Sequence, residues 1–392
     1  MARAAGMKGP RYSPAELMAR LVAFDTTSHK TNIPLIRFVE DYLIQHGVAP
    51  TLVPTNDGAK ASLFATIGPQ DVAGVALSGH TDVVPVTGQT WDTDPFTMVE
   101  RDGKYYGRGT SDMKGFLACV LAAVPDFKSR SLKTPLHIAF SYDEEVGCTG
   151  VRPMLAEFGE RLPRPRMAIV GEPTSMRVVD AHKGPVRWLV EINGRAAHSS
   201  MAHLGVNAIA TAASLIGELQ RIEDELKRWP PDSRFDPPYP TLQVTLIDGG
   251  NATNIVPVSC RFQFDVRAMP GLDTSQIERR LRAFAETQCL PDMQRVAPEA
   301  SITITQANNV PPFLADASAD VVGLALQLTN QNETFAVSYA TEAGLFQAAG
   351  APSVVCGPGD IAQAHTANEW IAASELDQCM AFLHRLASWA ES

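Results

Sequence analysis

The 392-residue chain has no Cys-x-x-Cys pair, no apolar run long enough to cross a bilayer, no internal repeat and no low-complexity segment. Each absence closes off a class. The six cysteines (Cys119, Cys148, Cys260, Cys289, Cys356 and Cys379) are scattered, which points to reduced, mostly buried thiols in a cytosolic protein rather than a disulfide framework. A membrane span needs roughly 20 consecutive apolar residues, and none is present. Positive charge is also in short supply. Lys and Arg number 33 against 43 Asp and Glu, giving a net charge of -10 and excluding partners that need a basic surface, such as nucleic acid or anionic lipid. Residues 1–12 are short and basic and lack an apolar segment, so no secretory signal is expected and a cytoplasmic location is.

What the chain does have is an ordinary globular composition, 45% hydrophobic and 19% charged. Its length exceeds the usual single-core limit, so two domains are expected. Ser13-Pro14-Ala15-Glu16 reads as a helix start, with a capping Ser, Pro in the first turn and Glu three residues on. A second helix is expected over 33–46. Short apolar runs at 62–67, 74–78, 136–141 and 167–170 then alternate with helical patterns at 114–124 and 151–158. Such alternation predicts an α/β sheet with helices on both faces.

The texture changes after His182. Strands at 186–192, 241–247, 259–266 and near 301–305, with helices at 205–226 and 274–287, follow the order β-α-β-β-α-β of a ferredoxin-like split unit. Residues 321–329, 353–355 and the helix 375–389 then resume the first pattern. The expected layout is a discontinuous domain of residues 1–182 and 308–392, interrupted by an inserted α+β domain at 183–307.

Asp143-Glu144-Glu145 ends the apolar run Leu136 to Phe140. Adjacent acids repel one another and gain nothing from burial, so keeping them at a strand end calls for a compensating cation. Other candidates fall at similar places, and in open α/β sheets ligands gather outside the carboxyl ends of strands. His80 and Asp82 follow the run Val75 to Ser78. Asp112 lies in Gly107-Arg108-Gly109-Thr110-Ser111-Asp112-Met113-Lys114-Gly115, where its plainer reading is a helix cap. Glu172 follows the strand at 167–170, and His365 sits in a polar loop that alone suggests only a surface histidine. Together they supply two imidazoles and three carboxylates. Two zinc ions, each with one His and one acid and with Asp112 shared, would use all five, and in Asp143-Glu144-Glu145 one acid can bind metal while its neighbour acts as general base.

These segments resemble the co-catalytic dizinc hydrolase family that includes acetylornithine deacetylase, succinyl-diaminopimelate desuccinylase, aminoacylase and carboxypeptidase G. The matching motifs are Ser78-Gly79-His80-Thr81-Asp82-Val83-Val84-Pro85, the Asp112 loop, Asp143-Glu144-Glu145, Gly171-Glu172-Pro173-Thr174 and His365, in order along nearly the whole chain. The resemblance implies an aminopeptidase-like catalytic domain carrying an inserted dimerisation (lid) domain. It implies that His80, Asp112 and Glu172 hold one metal, and that Asp112, Glu145 and His365 hold the other. It also implies Glu144 as base, Asp82 as the group orienting His80, and a cis peptide after Asp112.

Within the insert, Gly194-Arg195-Ala196-Ala197-His198-Ser199-Ser200 resembles a family segment whose His polarises the scissile carbonyl in the partner subunit of a homodimer. Asn254 and Arg267 resemble contacts to the substrate carboxylate, although a turn and an ordinary salt bridge serve equally as readings. Tyr339-Ala340-Thr341-Glu342-Ala343-Gly344 is similar to the acetylornithine branch, and Glu342 is a candidate partner for a substrate ammonium. What this implies is release of acetate from N2-acetyl-L-ornithine, an arginine-biosynthetic step. Desuccinylase, aminoacylase and exopeptidase activities remain open, as do zinc and cobalt as the two cations.

Overall fold

The computed structural model describes residues 9–316 and 319–392, so residues 1–8 of the segment considered for a leader lie outside it. The first helix, Pro14–Val22, starts as its sequence requires. The Glu16 carboxylate accepts from the Ser13 N–H at 2.7 Å, and the Ser13 hydroxyl accepts from the Glu16 N–H at 3.2 Å. Two of the helix's unpaired donors are thereby satisfied. Leu17, Met18, Leu21 and Val22 recur at helical spacing, and all are buried.

The chain forms two compact units. The first comprises the described residues of 9–181, 314–335 and 341–392. Seven strands of its sheet run in the order Pro50–Pro54, Ala61–Ile67, Leu136–Ser141, Val75–His80, Met167–Val170, Ser353–Val355 and Val179–His182. Strand Val75–His80 pairs in parallel with Leu136–Ser141 on one side and Met167–Val170 on the other, and Ser353–Val355 is parallel to Met167–Val170. These four central strands are buried along their whole length, which is why they read as continuous apolar runs rather than alternating ones. Their shared direction brings the residues after His80, Ser141, Val170 and Val355 to one edge.

Helix Gly115–Ser129 runs five residues past the end expected at Val124, through Pro125. Proline costs that helix one backbone donor, but Val124 and Phe127 are fully buried in the core and hold the last turn in place. Burial here overrides the local signal.

The second unit comprises residues 182–313 and 336–340. Its four strands lie in the order Thr241–Gly249, Ser259–Ala268, Gly184–Asn193, Ser301–Asn309, each antiparallel to its neighbour. Numbered along the insert this is 2-3-1-4, the ferredoxin-like arrangement. Trp188 and Phe264 stack across the central pair with ring centroids 4.9 Å apart, and the Trp188 indole N–H donates to Glu278 at 2.9 Å. The long helix begins at Ala208 rather than Gly205, because the Asn207 side chain caps it by accepting from the Ala210 N–H at 3.1 Å.

The observed limits differ from those expected. The insert runs on to Phe313, and a five-residue segment, Ala336–Ala340, clusters with it although it lies well beyond in sequence. Nothing in a short loop's own residues signals which of two cores it joins.

Candidate metal centre

The parallel strand ends assemble five residues into two groups, His80 with Asp112 and Glu172, and Asp112 with Glu145 and His365. Within each group the potential ligand atoms lie within 4.8 Å of one another. Asp112 belongs to both because its two oxygens face different imidazoles. Oδ1 is 3.0 Å from His80 Nε2 and Oδ2 is 3.2 Å from His365 Nε2. Glu172 Oε1 lies 3.8 Å from His80 Nε2, and Glu145 Oε2 lies 3.0 Å from His365 Nε2.

Local backbone geometry makes this possible. The Asp112–Met113 peptide is cis, and the N-cap position of helix Gly115–Ser129 is Lys114, so Asp112 is not the helix cap that its position suggested. Gly109 holds φ at +83°, which glycine adopts without a steric penalty. At Gly171 a Cβ would fall 2.1 Å from the Phe116 ring, so only glycine lets the chain before Glu172 pass that close.

The charges are strongly interdependent. Burial alone would lower the His80 pKa, but the charge of Glu172 and contacts with Asp112 and Asp82 outweigh it and raise it well above the usual value. Burial tends to raise the Asp112 pKa, and the two imidazoles reverse that and hold it far below the carboxylate range. Hydrogen bonds to Asp112 and Glu145 raise His365 to about 10. Burial pushes Glu145 up to about 7 and raises Glu144 and Glu172 well above their ordinary values. Four enclosed carboxylates around two imidazoles are an excess of acidic groups, which the glutamates relieve by favouring their protonated forms. Divalent cations remove that imbalance, and the nitrogen and oxygen donors suit zinc-like ions.

Asp82 does more than its sequence position indicated. His80 Nδ1 is 2.9 Å from the Asp82 carbonyl oxygen and 3.5 Å from its carboxylate, so the main chain is the nearer orienting partner. The carboxylate accepts from the N–H groups of Glu144 and Glu145, at 3.1 and 3.4 Å, and from the Ser28 hydroxyl at 2.7 Å. It ties the turn carrying Glu144 to the strand carrying His80. The adjacent Asp143 has φ of +53° and forms an ion pair with Lys60. The Cys148 thiol donates to Glu144 Oε1 at 3.3 Å. Sequence reasoning assigned nothing to Lys60 or Cys148, and neither carries a local signal.

The expected role of Glu342 needs correction. It is 1% exposed, and its oxygens accept from the Ser141 and Ser78 hydroxyls at 2.6 and 3.2 Å. Burial raises its pKa to about 7. A carboxylate enclosed by two strands and held by two serines is not placed to receive a substrate ammonium. Its charge was read correctly as special, but its burial was invisible in a loop sequence.

His198, Asn254 and Arg267 belong to the inserted unit. His198 is exposed, and its Nδ1 accepts from the Ser200 N–H at 3.2 Å, which leaves Nε2 as the donor in the neutral ring. Asn254 is exposed, and its carbonyl oxygen accepts from the Ser199 N–H at 2.9 Å. Arg267 Nε donates to Asp265 at 2.8 Å, and Arg187 pairs with the same carboxylate at 2.9 Å.

The chain belongs to peptidase family M20/M25/M40, whose model matches residues 76–389. It is 34% identical over 377 residues to an acetylornithine deacetylase from Pasteurella multocida, covering 96% of each chain. It is 37% identical over 375 residues to another from Myxococcus xanthus, covering 94% of this chain and 95% of that one. The fold is similar to that of aminopeptidase PepT from Bacillus cereus, with a TM-score of 0.74 at 18% identity, covering 98% and 100% of the two chains. An M20 family metallo-carboxypeptidase from Sulfolobus solfataricus also gives 0.74 at 18% identity, covering 97% of this chain and 99% of that one. A dinuclear metal-binding peptidase of the same family from Bacillus subtilis gives 0.66 at 14% identity, covering 95% and 96%.

Proposed function

We propose that the protein hydrolyses the acetyl amide of N2-acetyl-L-ornithine, giving L-ornithine and acetate. The observation that carries this reading is similarity along about 95% of the chain to relatives named for that activity. The clustering of two His/carboxylate groups at the strand ends supports it chemically. His80, Asp112 and Glu172 would hold one divalent cation, and Asp112, Glu145 and His365 a second, with zinc preferred and cobalt accepted by the same donors. Such cations, when bound, lower the pKa of water and polarise an amide carbonyl.

Glu144 has no place in either ligand group and takes the proton of the attacking water, then delivers it to the departing amine nitrogen. Asp82 keeps Glu144 and His80 in register through the contacts described above. In the proposed homodimer, His198, with Nε2 as a donor, reaches the site of the other subunit and supplies a hydrogen bond to the oxygen on which charge develops. Arg267 and Asn254 are the proposed contacts to the α-carboxylate, for which a guanidinium fork is well shaped.

The burial of Glu342 favours a second reading, a deacylase of another N-acyl amino acid, because the one acid proposed for the ornithine ammonium is enclosed. Acetate or succinate release from N-acetyl-L-ornithine, N-acetyl-L-methionine and N-succinyl-diaminopimelate by metal-loaded protein separates the two. At least tenfold higher kcat/KM for acetylornithine is expected. Higher kcat/KM for either of the others would move the substrate assignment and leave the hydrolytic chemistry standing.

The inserted unit is also the proposed seat of a homodimer. Its strand Thr241–Gly249 is at the edge of the sheet, and Leu246 and Ile247 on it are 62% and 58% exposed. An open edge with adjacent exposed apolar side chains invites pairing with a second copy. Replacing both Leu246 and Ile247 with Lys is expected to convert a dimer to a monomer in sedimentation experiments. An unchanged sedimentation coefficient would remove this strand from the interface. Among the described residues no helix is long and apolar enough to cross a membrane.

A further inference from the structure

We infer that Gln89, Arg108 and Glu369 form a positioning brace that presents Asp112 and His365 together, so that the second cation site depends on side chains that touch no metal. The inference rests on Asp112, Glu145 and His365 being cation ligands.

Glu369 is fully buried, and its carboxylate is saturated by the loop that carries Asp112. One oxygen accepts from the N–H groups of Ser111 at 2.9 Å and Asp112 at 3.0 Å. The other accepts from the Gly109 N–H at 2.9 Å and from the Arg108 guanidinium at 2.8 Å. Its own carbonyl oxygen accepts from the Gly107 N–H at 2.9 Å. A single side chain therefore fixes the main chain on the N-terminal side of Asp112, including the amide of Asp112 itself.

The brace continues from there. The other amino group of Arg108 donates to the side-chain oxygen of Gln89, and the Gln89 amide donates to the carbonyl oxygen of His365 at 2.7 Å. Asp112 and His365 are thereby linked by a chain of polar contacts that does not pass through either ligand side chain.

The backbone shows why such a link is needed. His365 has φ of +61° and Asn368 +54°, a left-handed region uncommon for non-glycine residues, which His and Asn enter more readily than most. Both are tied to the same neighbouring loop, His365 through Gln89 and Asn368 through its side-chain oxygen, which accepts from the Asp92 N–H at 2.9 Å. The His365 ring is otherwise half exposed, so packing alone does not hold it. Glu172 and His80 are buried and receive no contact from the brace. Asp112 serves both groups, so the Gln89 link to His365 is the part of the brace confined to the second cation site.

The test is a calorimetric titration of metal-free protein with Co2+, followed in parallel by the visible absorption of the bound cobalt. Wild type is expected to take up two equivalents, and fewer would overturn the dinuclear reading and the brace with it. In Gln89→Leu one equivalent is expected to weaken by about 10- to 100-fold, with an altered cobalt spectrum, while the other keeps its affinity. Gln89 is partly exposed, and the metal-free variant is expected to melt within about two degrees of wild type. In a Glu172→Gln background, where the other site is crippled, Gln89→Leu is expected to weaken the equivalent that remains. Wild-type affinity for both equivalents in Gln89→Leu, equal weakening of both, or no further loss in the Glu172→Gln background would each overturn the brace.

Discussion

Replacing Glu144 with Gln is expected to lower kcat by about 10²- to 10⁴-fold, the range for loss of a positioned general base, while the protein still binds its cations. The two halves of that result come from different parts of the structure. Glu144 is outside both ligand groups, whereas its neighbour Glu145 is inside one. Contacts that do not involve the Glu144 side chain hold the turn, since the Glu144 N–H donates to Asp82 and the Asp143 side chain pairs with Lys60. Substituting the Glu144 side chain leaves those contacts intact. Gln keeps the shape and retains an oxygen for the Cys148 thiol, but an amide cannot take a proton from water at neutral pH. The measurement is kcat for acetylornithine beside metal content by mass spectrometry. Turnover near wild type would remove Glu144 from the base role. Loss of both activity and metal would make it a ligand instead.

The contrast with Glu145 shows what sequence could convey. Adjacent acids at a strand end advertise a cation, and the parallel pairing of Val75–His80 with Leu136–Ser141 and Met167–Val170 explains why three separate motifs meet. Each of those motifs follows a buried run with its own legible signature. Glu369 had none. Its partners are main-chain N–H groups 257 to 260 residues earlier, which no side-chain pattern encodes. Glu342 was misread for a related reason. Its surroundings in sequence suggested a partner for a substrate ammonium, but only the fold reveals the two serine hydroxyls that meet it. The insert was legible by element order, because alternating strands and amphipathic helices carry distinct periods. Its return segment, Ala336–Ala340, was not, because membership of a core depends on packing and not on local pattern.

Replacing Asp112 with Asn is expected to weaken binding of both cations, by at least about 100-fold each, and to abolish turnover. No other residue belongs to both groups, so no other single ligand change should have this double effect. The substitution is nearly isosteric and leaves the Asp112 N–H bonded to Glu369. What changes is chemical. A carboxylate offers an acceptor to each imidazole-bearing side, whereas an amide offers one oxygen and turns its NH2 donors towards the other. The metal-free protein should lose some stability, because the two imidazoles that hold the Asp112 pKa far below the carboxylate range lose their ion-pair partner, and relief of repulsion on Glu145 and Glu172 offsets only part of that. Saturating metal stabilises a folded protein by about 2.7 kcal/mol when present at a hundred times its Kd. Wild type should therefore melt several degrees higher with zinc than without, and Asp112→Asn should melt at the same temperature in both conditions. Glu172→Gln should keep part of the gain, since the group of Asp112, Glu145 and His365 survives it. Thermal melts of the three proteins with and without zinc decide the matter. A full zinc-dependent rise in Asp112→Asn would mean that Asp112 bridges nothing, and the two groups would have to be read as independent sites.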